Sequence, residues 1–162
     1  MDVVIYGTLC AEGEERDAAH RLLNLALFRE LGMSAVPEIA REAGGKPFFP
    51  DLPELCFNIS HSHGAAVVAL HDNSIGIDVE KLRPAPKRLS AGKTDEEFFR
   101  LWTAQEATVK RRGGSIAAVL HGEIEVAPFC RVYDNVLPGY FVAVCPSVDA
   151  SVRIEIVEEG RL

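Results

Sequence analysis

The sequence is poor in the features that mark secreted, membrane-spanning or nucleic-acid-coating proteins. Its four cysteines, Cys10, Cys56, Cys130 and Cys145, are widely spaced and form no Cys-x-x-Cys pair. That excludes a zinc ribbon or a disulfide scaffold as the organising principle and predicts reduced thiols. There is no excess of positive charge: 17 Lys and Arg stand against 24 Asp and Glu, a net charge of -7. Neither nucleic acid nor a membrane surface is therefore expected as a partner, and any anionic ligand must be caught by a local basic cluster. Long apolar runs are also missing. Stretches such as Ala65 to Leu70 are far too short to span a bilayer, and the opening Met-Asp-Val-Val-Ile-Tyr carries no basic region of a signal peptide, so a cytoplasmic protein is predicted.

What is present is core material: 48% of the 162 residues are hydrophobic, enough for one domain, expected to be monomeric, or for two small packed halves. Val3 to Tyr6 reads as a short strand. Glu14 to Leu31 reads as a helix, because Ala19, Leu22, Leu23, Ala26, Leu27 and Leu31 recur at helical spacing, and Gly32 is a natural stop. Gly44-Gly45-Lys46-Pro47 through Pro50 and Pro53 is predicted to be a loop. Cys56 to Ser60, Ala65 to His71 and Ile75 to Val79 read as strands, the last two joined by the turn residues Asp72-Asn73-Ser74. Thr94 followed by Glu97 has the form of a capping box. It opens a helix in which Phe98, Leu101, Trp102, Gln105 and Val109 trace one face to about Arg112, before Gly113-Gly114. Ile124 to Ala127, Arg131 to Tyr133, Tyr140 to Cys145 and Val152 to Val157 alternate as antiparallel strands do. The pattern is α+β, in two halves at about 1-82 and 83-162, each with strands and one principal helix.

Asp78 and Glu80 are two apart in a strand, so both carboxylates leave the same face and repel. A divalent cation would relieve that repulsion, and hard oxygen ligands suit magnesium; an ordinary solvated strand face has the same pattern. Glu106 and Lys110, four apart on the capped helix, read either as a helix ion pair or as a further cation ligand beside a phosphate-neutralising ammonium. Ser60-His61-Ser62-His63 offers donors for phosphate oxygens. It also admits a nucleophilic serine with a histidine base, or a zinc site of His61, His63 and His71, although no hydrolase elbow or zinc spacing accompanies it. Lys46 follows two glycines, and Arg21 projects from the first helix.

Four segments occur in a telling order: Gly45-Lys46-Pro47, Phe57-Asn58-Ile59-Ser60-His61-Ser62, Ile75-Gly76-Ile77-Asp78-Val79-Glu80, and Trp102 with Glu106, Ala107 and Lys110. The combination resembles the surfactin-type branch of the 4'-phosphopantetheinyl transferases over roughly Arg21 to Lys110, with a weaker echo in Pro138-Gly139-Tyr140 and Ala143-Val144-Cys145. The resemblance implies two similar halves, each a small, mostly antiparallel sheet with one main helix, related by a pseudo-twofold, with coenzyme A in the cleft between them. It implies Asp78, Glu80 and Glu106 as magnesium ligands, and Ser60, His61, Lys46, Lys110 and Arg21 as residues that hold coenzyme A. It also implies transfer of the phosphopantetheine arm to a serine of an acyl or peptidyl carrier protein, with 3',5'-ADP leaving and Glu106, Glu80 and Lys110 serving catalysis. Three features depart from the family pattern: Gln105 stands where a lysine is usual, the 81-97 connection is short, and Glu12, Glu14 and Glu15 replace basic residues. They motivate the alternative of a non-catalytic relative that binds coenzyme A or a carrier protein. On the transferase reading, Asp78 and Glu106 are expected at the surface of a cleft.

Overall fold

The computed structural model describes residues 1-114, 117-121 and 124-162. The chain opens with strand β1 (Val3–Leu9) and helix α1 (Glu15–Leu31), then the two-residue strands β2 (Ala40–Arg41) and β3 (Pro47–Phe48), which pair with each other. Strands β4 (Cys56–Ser62), β5 (Ala65–His71) and β6 (Ile75–Lys81) follow. After the short helix α2 (Lys87–Ser90) come α3 (Asp95–Arg112), the short α4 (Ala117–Leu120), β7 (Arg131–Tyr133), β8 (Tyr140–Pro146) and β9 (Val152–Ile156). Among the described residues no helix is long and apolar enough to cross a membrane.

Two sheets stack face to face, in the orders β4-β5-β1-β9 and β6-β8-β7. Period-two alternation builds the layers. Val3, Ile5, Val67 and Ala69 of the first sheet meet Ile75, Ile77, Val79, Val142 and Val144 of the second in one core. The opposite face of the first sheet, with Val4, Tyr6, Val68 and Leu70, receives Leu22, Leu23, Ala26 and Leu27 of α1. The outer face of the second sheet receives α3, with Ala107 against Ala143 and Cys145, and Phe98 and Phe99 against Phe141. The order of layers is thus helix, sheet, sheet, helix, and the α+β expectation is met with one main helix on each sheet.

Both main helices end as expected, at glycines in the left-handed region: Gly32 at φ 68° and Gly113 at φ 69°. The box that opens α3 is complete. Thr94 Oγ1 accepts from the Glu97 amide at 3.2 Å, and Glu97 Oε2 accepts from the Thr94 amide at 2.8 Å. Thr94→Ala is expected to cost about 1 kcal/mol, read as a melting temperature lower by roughly 2–4 °C.

Three expectations need correction. Ile124 to Ala127 forms no strand: the Ile124 carbonyl accepts from the Gln105 side chain at 2.9 Å, and the Ala127 carbonyl accepts from the Cys130 amide in a turn. The 44-53 loop contains the short strand β3. Finally, the sheets are not built from consecutive halves of the chain. The turn at Asp72 to Ser74 turns a corner rather than closing a hairpin, so β6 pairs with β8. The last strand, β9, returns to lie parallel to β1, with Val3 opposite Val152.

Candidate active site

The site forms where the two sheets meet. Strand β6 is an edge of its sheet, and its exposed backbone donors are met by side chains of β4 instead of a further strand. The Ile77 amide donates to Asn58 Oδ1 at 2.8 Å and the Val79 amide to Ser60 Oγ at 3.3 Å. Polar residues at the alternate positions 58 and 60, interleaved with Phe57 and Ile59, were the available signal for this junction; sequence reasoning gave Asn58 no role. Across the outer face of β6 lies α3, seated on Gly76. A Cβ at that position would stand 2.0 Å from the Ala107 carbonyl oxygen and 2.5 Å from the Arg111 nitrogen. This close approach sets Glu106 and Lys110 over Asp78 and Glu80.

Asp78, Glu80 and Glu106 each present an oxygen within 4.8 Å of the others, and they are the one such group among the described residues. Contrary to the expectation of a cleft surface, Asp78 and Glu106 are buried, at 2% and 5% exposure. Asp78 Oδ1 accepts from Lys110 Nζ at 2.5 Å and from Ser60 Oγ at 2.8 Å, and Lys110 Nζ also reaches Ser60 Oγ at 2.8 Å. Its other oxygen, Oδ2, is buried with no hydrogen-bond partner. Burial, and next the Asp78 charge, push the Glu106 carboxyl up to about 8. Glu80 accepts from Arg83 at 2.7 Å and, at 3.4 Å, from Ser62. Arg83 also lies 4.4 Å from the Phe99 ring centre, a clamp the sequence reading missed because a lone arginine three residues past a strand acid carries no motif.

Three buried or half-buried carboxylates supplied with one ammonium and one guanidinium form a hard-oxygen set short of positive charge. A divalent cation would partner the orphaned carboxylate oxygen and favour the ionised form of the carboxyl that burial holds neutral, so the residues fit magnesium. The linkage has a definite sign. Without metal the folded chain keeps the Glu106 proton up to about pH 8, whereas the unfolded chain releases it near the ordinary carboxylate value of 4.5. The metal-free fold therefore loses stability as pH rises through that window, and a cation that requires the ionised form gains stabilising effect over the same window. Millimolar magnesium is expected to raise the melting temperature by roughly 5 °C near pH 8 and by almost nothing near pH 5.5. Differential scanning fluorimetry at the two pH values, with and without chelator, checks this.

The other expected site residues separate. Lys46 lies in a cleft of about 200 Å³ beside Lys110, between Gly44-Gly45 and Gly113-Gly114. Its ammonium already donates to the Arg111 carbonyl at 2.7 Å and to Ser74 at 3.0 Å, and burial lowers its pKa. Ser60 belongs to the cluster, its hydroxyl engaged by Asp78 and Lys110. His61, the next residue along β4, is exposed on the opposite side of the strand. A Ser60-His61 dyad is excluded by that alternation, and His71, buried beside Asp72 and Asn73, does not join His61 and His63. Arg21 pairs with Glu159 at 3.7 Å, and Arg29 with Glu155 at 2.9 Å. Gln105 reaches away from the carboxylates, to Ile124.

Comparisons with known proteins converge. No family model matches the chain. It is 32% identical over 133 residues to 4'-phosphopantetheinyl transferase Sfp of Bacillus subtilis (strain 168), covering 62% of this chain and 59% of that protein, so it spans less than two thirds of Sfp. It is 30% identical over 176 residues to 4'-phosphopantetheinyl transferase ffp of Bacillus subtilis, covering 84% and 78%. To 4'-phosphopantetheinyl transferase AcpT of Escherichia coli (strain K12) it is 36% identical over 146 residues, covering 78% and 74%.

Proposed function

Because this chain belongs to the 4'-phosphopantetheinyl transferases, we propose that it moves the 4'-phosphopantetheine arm of coenzyme A onto a serine of an acyl or peptidyl carrier protein, releasing 3',5'-ADP. The observation that carries the proposal is the meeting of Asp78, Glu80 and Glu106, drawn from a strand and a distant helix, with one buried oxygen of Asp78 unpartnered. Those three side chains would hold magnesium, which when bound supplies positive charge to diphosphate oxygens. The two halves, each a sheet backed by a helix, are proposed to be related by a pseudo-twofold, with coenzyme A lying along their junction.

The chain's own groups then have separable tasks. Lys110, fixed by Asp78 and Ser60, aims an ammonium at the cleft. Its charge favours the state in which negative charge gathers on the departing phosphate. Lys46 joins the glycine-bearing loop to the C-terminal end of α3 and gives that cleft a second cation. Glu80 is oriented by Arg83. The proton of the attacking serine passes to Glu106, or to a water oriented by Glu80. His61 and Arg21, outside the cluster, are proposed to touch the remoter parts of coenzyme A. The protein is proposed to act as a cytoplasmic monomer.

Incubation with magnesium, labelled coenzyme A and a broad panel of apo carrier proteins tests the reading. Label on at least one carrier, lost in chelator, is expected. Magnesium-dependent coenzyme A binding with no labelled carrier anywhere in the panel would overturn it in favour of a non-catalytic relative.

A further inference from the structure

The register of the second sheet places two cysteines opposite each other. Arg131 faces Val144, Val132 faces Ala143 and Tyr133 faces Val142, and one more step along the same antiparallel ladder sets Cys130 across from Cys145. Directly opposed residues in an antiparallel pair hold their Cα atoms about 4.5–5.5 Å apart, inside the roughly 4.4–6.8 Å at which disulfides are met. Cys130 packs against the small cluster that holds Cys145 together with Ala107 and Ala143. Both also lean on one turn of α3. Cys130 Sγ donates to the Ala104 carbonyl at 3.7 Å, and Cys145 Sγ lies 3.6 Å from Thr108 Oγ1, itself a donor to Ala104 at 2.9 Å.

We propose that Cys130 and Cys145 are a redox-active pair that closes into a disulfide joining β7 to β8 beneath α3. Cys130 is half-buried while Cys145 is fully buried, so Cys130 is the thiol an oxidant meets and Cys145 the one that resolves. With a low-molecular-weight disulfide as oxidant, the Cys130 sulfur gives up its proton as it attacks one sulfur, forming a mixed disulfide and expelling one thiolate. The Cys145 sulfur then attacks Cys130 Sγ, the new bond forms within the protein and the second small thiolate leaves. Two cysteine thiols are oxidised, one small disulfide is reduced to two thiols, and the two protons lost by the protein end on them. Closure removes the Cys130 donor from Ala104 and staples the three-residue edge strand β7 to its neighbour. The inference does not depend on the transferase reading.

Oxidised glutathione applied to the full chain, followed by digestion without reductant and mass spectrometry, tests it. A single cross-linked pair of peptides carrying Cys130 and Cys145 is expected, reversible by dithiothreitol. The cross-linked protein should melt roughly 5–10 °C higher than the dithiol form, as short-loop disulfides typically do. Cys130→Ser, at the half-buried position, should abolish both effects, while a protein with Cys10→Ser and Cys56→Ser should retain them. Glutathione on Cys10 or Cys56 with Cys130 and Cys145 still free would overturn the proposal, as would a cross-linked form that melts no higher than the reduced one.

Discussion

Glu106→Gln is expected to abolish carrier modification, by about 10³-fold or more as typical for loss of a group that positions a catalytic cation, while raising the melting temperature of the metal-free protein near pH 8. The two effects have opposite signs because the same carboxyl is a burden to the fold and a requirement of the site. Its burial beside Asp78 forces it to keep a proton to about pH 8, and an amide of the same shape escapes that conflict. Asp78→Asn should also end transfer, but without the gain in stability. Its carboxylate balances Lys110 at 2.5 Å, and an amide in its place would still accept from that ammonium but no longer neutralise it. Transfer assays and metal-free melting curves on the two variants therefore form a pair. Native-rate transfer by either one in saturating magnesium would remove Asp78, Glu80 and Glu106 as the cation site.

How much of this was legible before folding differs by residue. The spacing of Asp78 and Glu80 placed both acids on one strand face, and the helical spacing of Glu106 and Lys110 paired them, so each half of the cluster could be read locally. Their meeting came only from the family resemblance, because periodicity fixes a face and not the neighbour it packs on. The depth of Asp78 and Glu106 was unreadable for the same reason: a strand acid is solvated until a helix lies across it. Ser60 was singled out as a ligand-holding donor; that its oxygen also accepts from the β6 backbone and meets Asp78 and Lys110 was not legible, because only the sheet junction creates those contacts.

The same limit explains the fold. The ends of α1 and α3 carry local chemistry, a capping box and left-handed glycines, and they were read almost to the residue. Strand positions were also legible from alternation. Strand partners were not: β6 leaves its predecessor for β8, and β9 crosses back to β1. Both steps bury apolar faces that would suit several pairings equally well from sequence. Ile124 to Ala127 alternates like a strand but spends its carbonyls on Gln105 and on a turn.

The least conspicuous determinant of the site is a hydrogen atom. At Gly76 the strand carries no side chain where α3 crosses, and the atoms a methyl group would meet, the Ala107 oxygen at 2.0 Å and the Arg111 nitrogen at 2.5 Å, are backbone that cannot swing aside. Gly76→Ala must therefore lift the helix as a body, against the packing of Ala107 on Ala143 and Cys145. The overpacking should cost about 1–3 kcal/mol. The larger effect is on geometry, because Glu106 and Lys110 ride on the displaced segment while Asp78 and Glu80 stay on the strand. A misplacement of about 1 Å between reacting groups typically costs 10²-fold, so transfer should fall by roughly that factor or more in a protein that still folds. The magnesium-induced rise in melting temperature should shrink with it. A Gly76→Ala protein with native transfer rate and an undiminished magnesium shift would show that α3 is not what brings the carboxylates together.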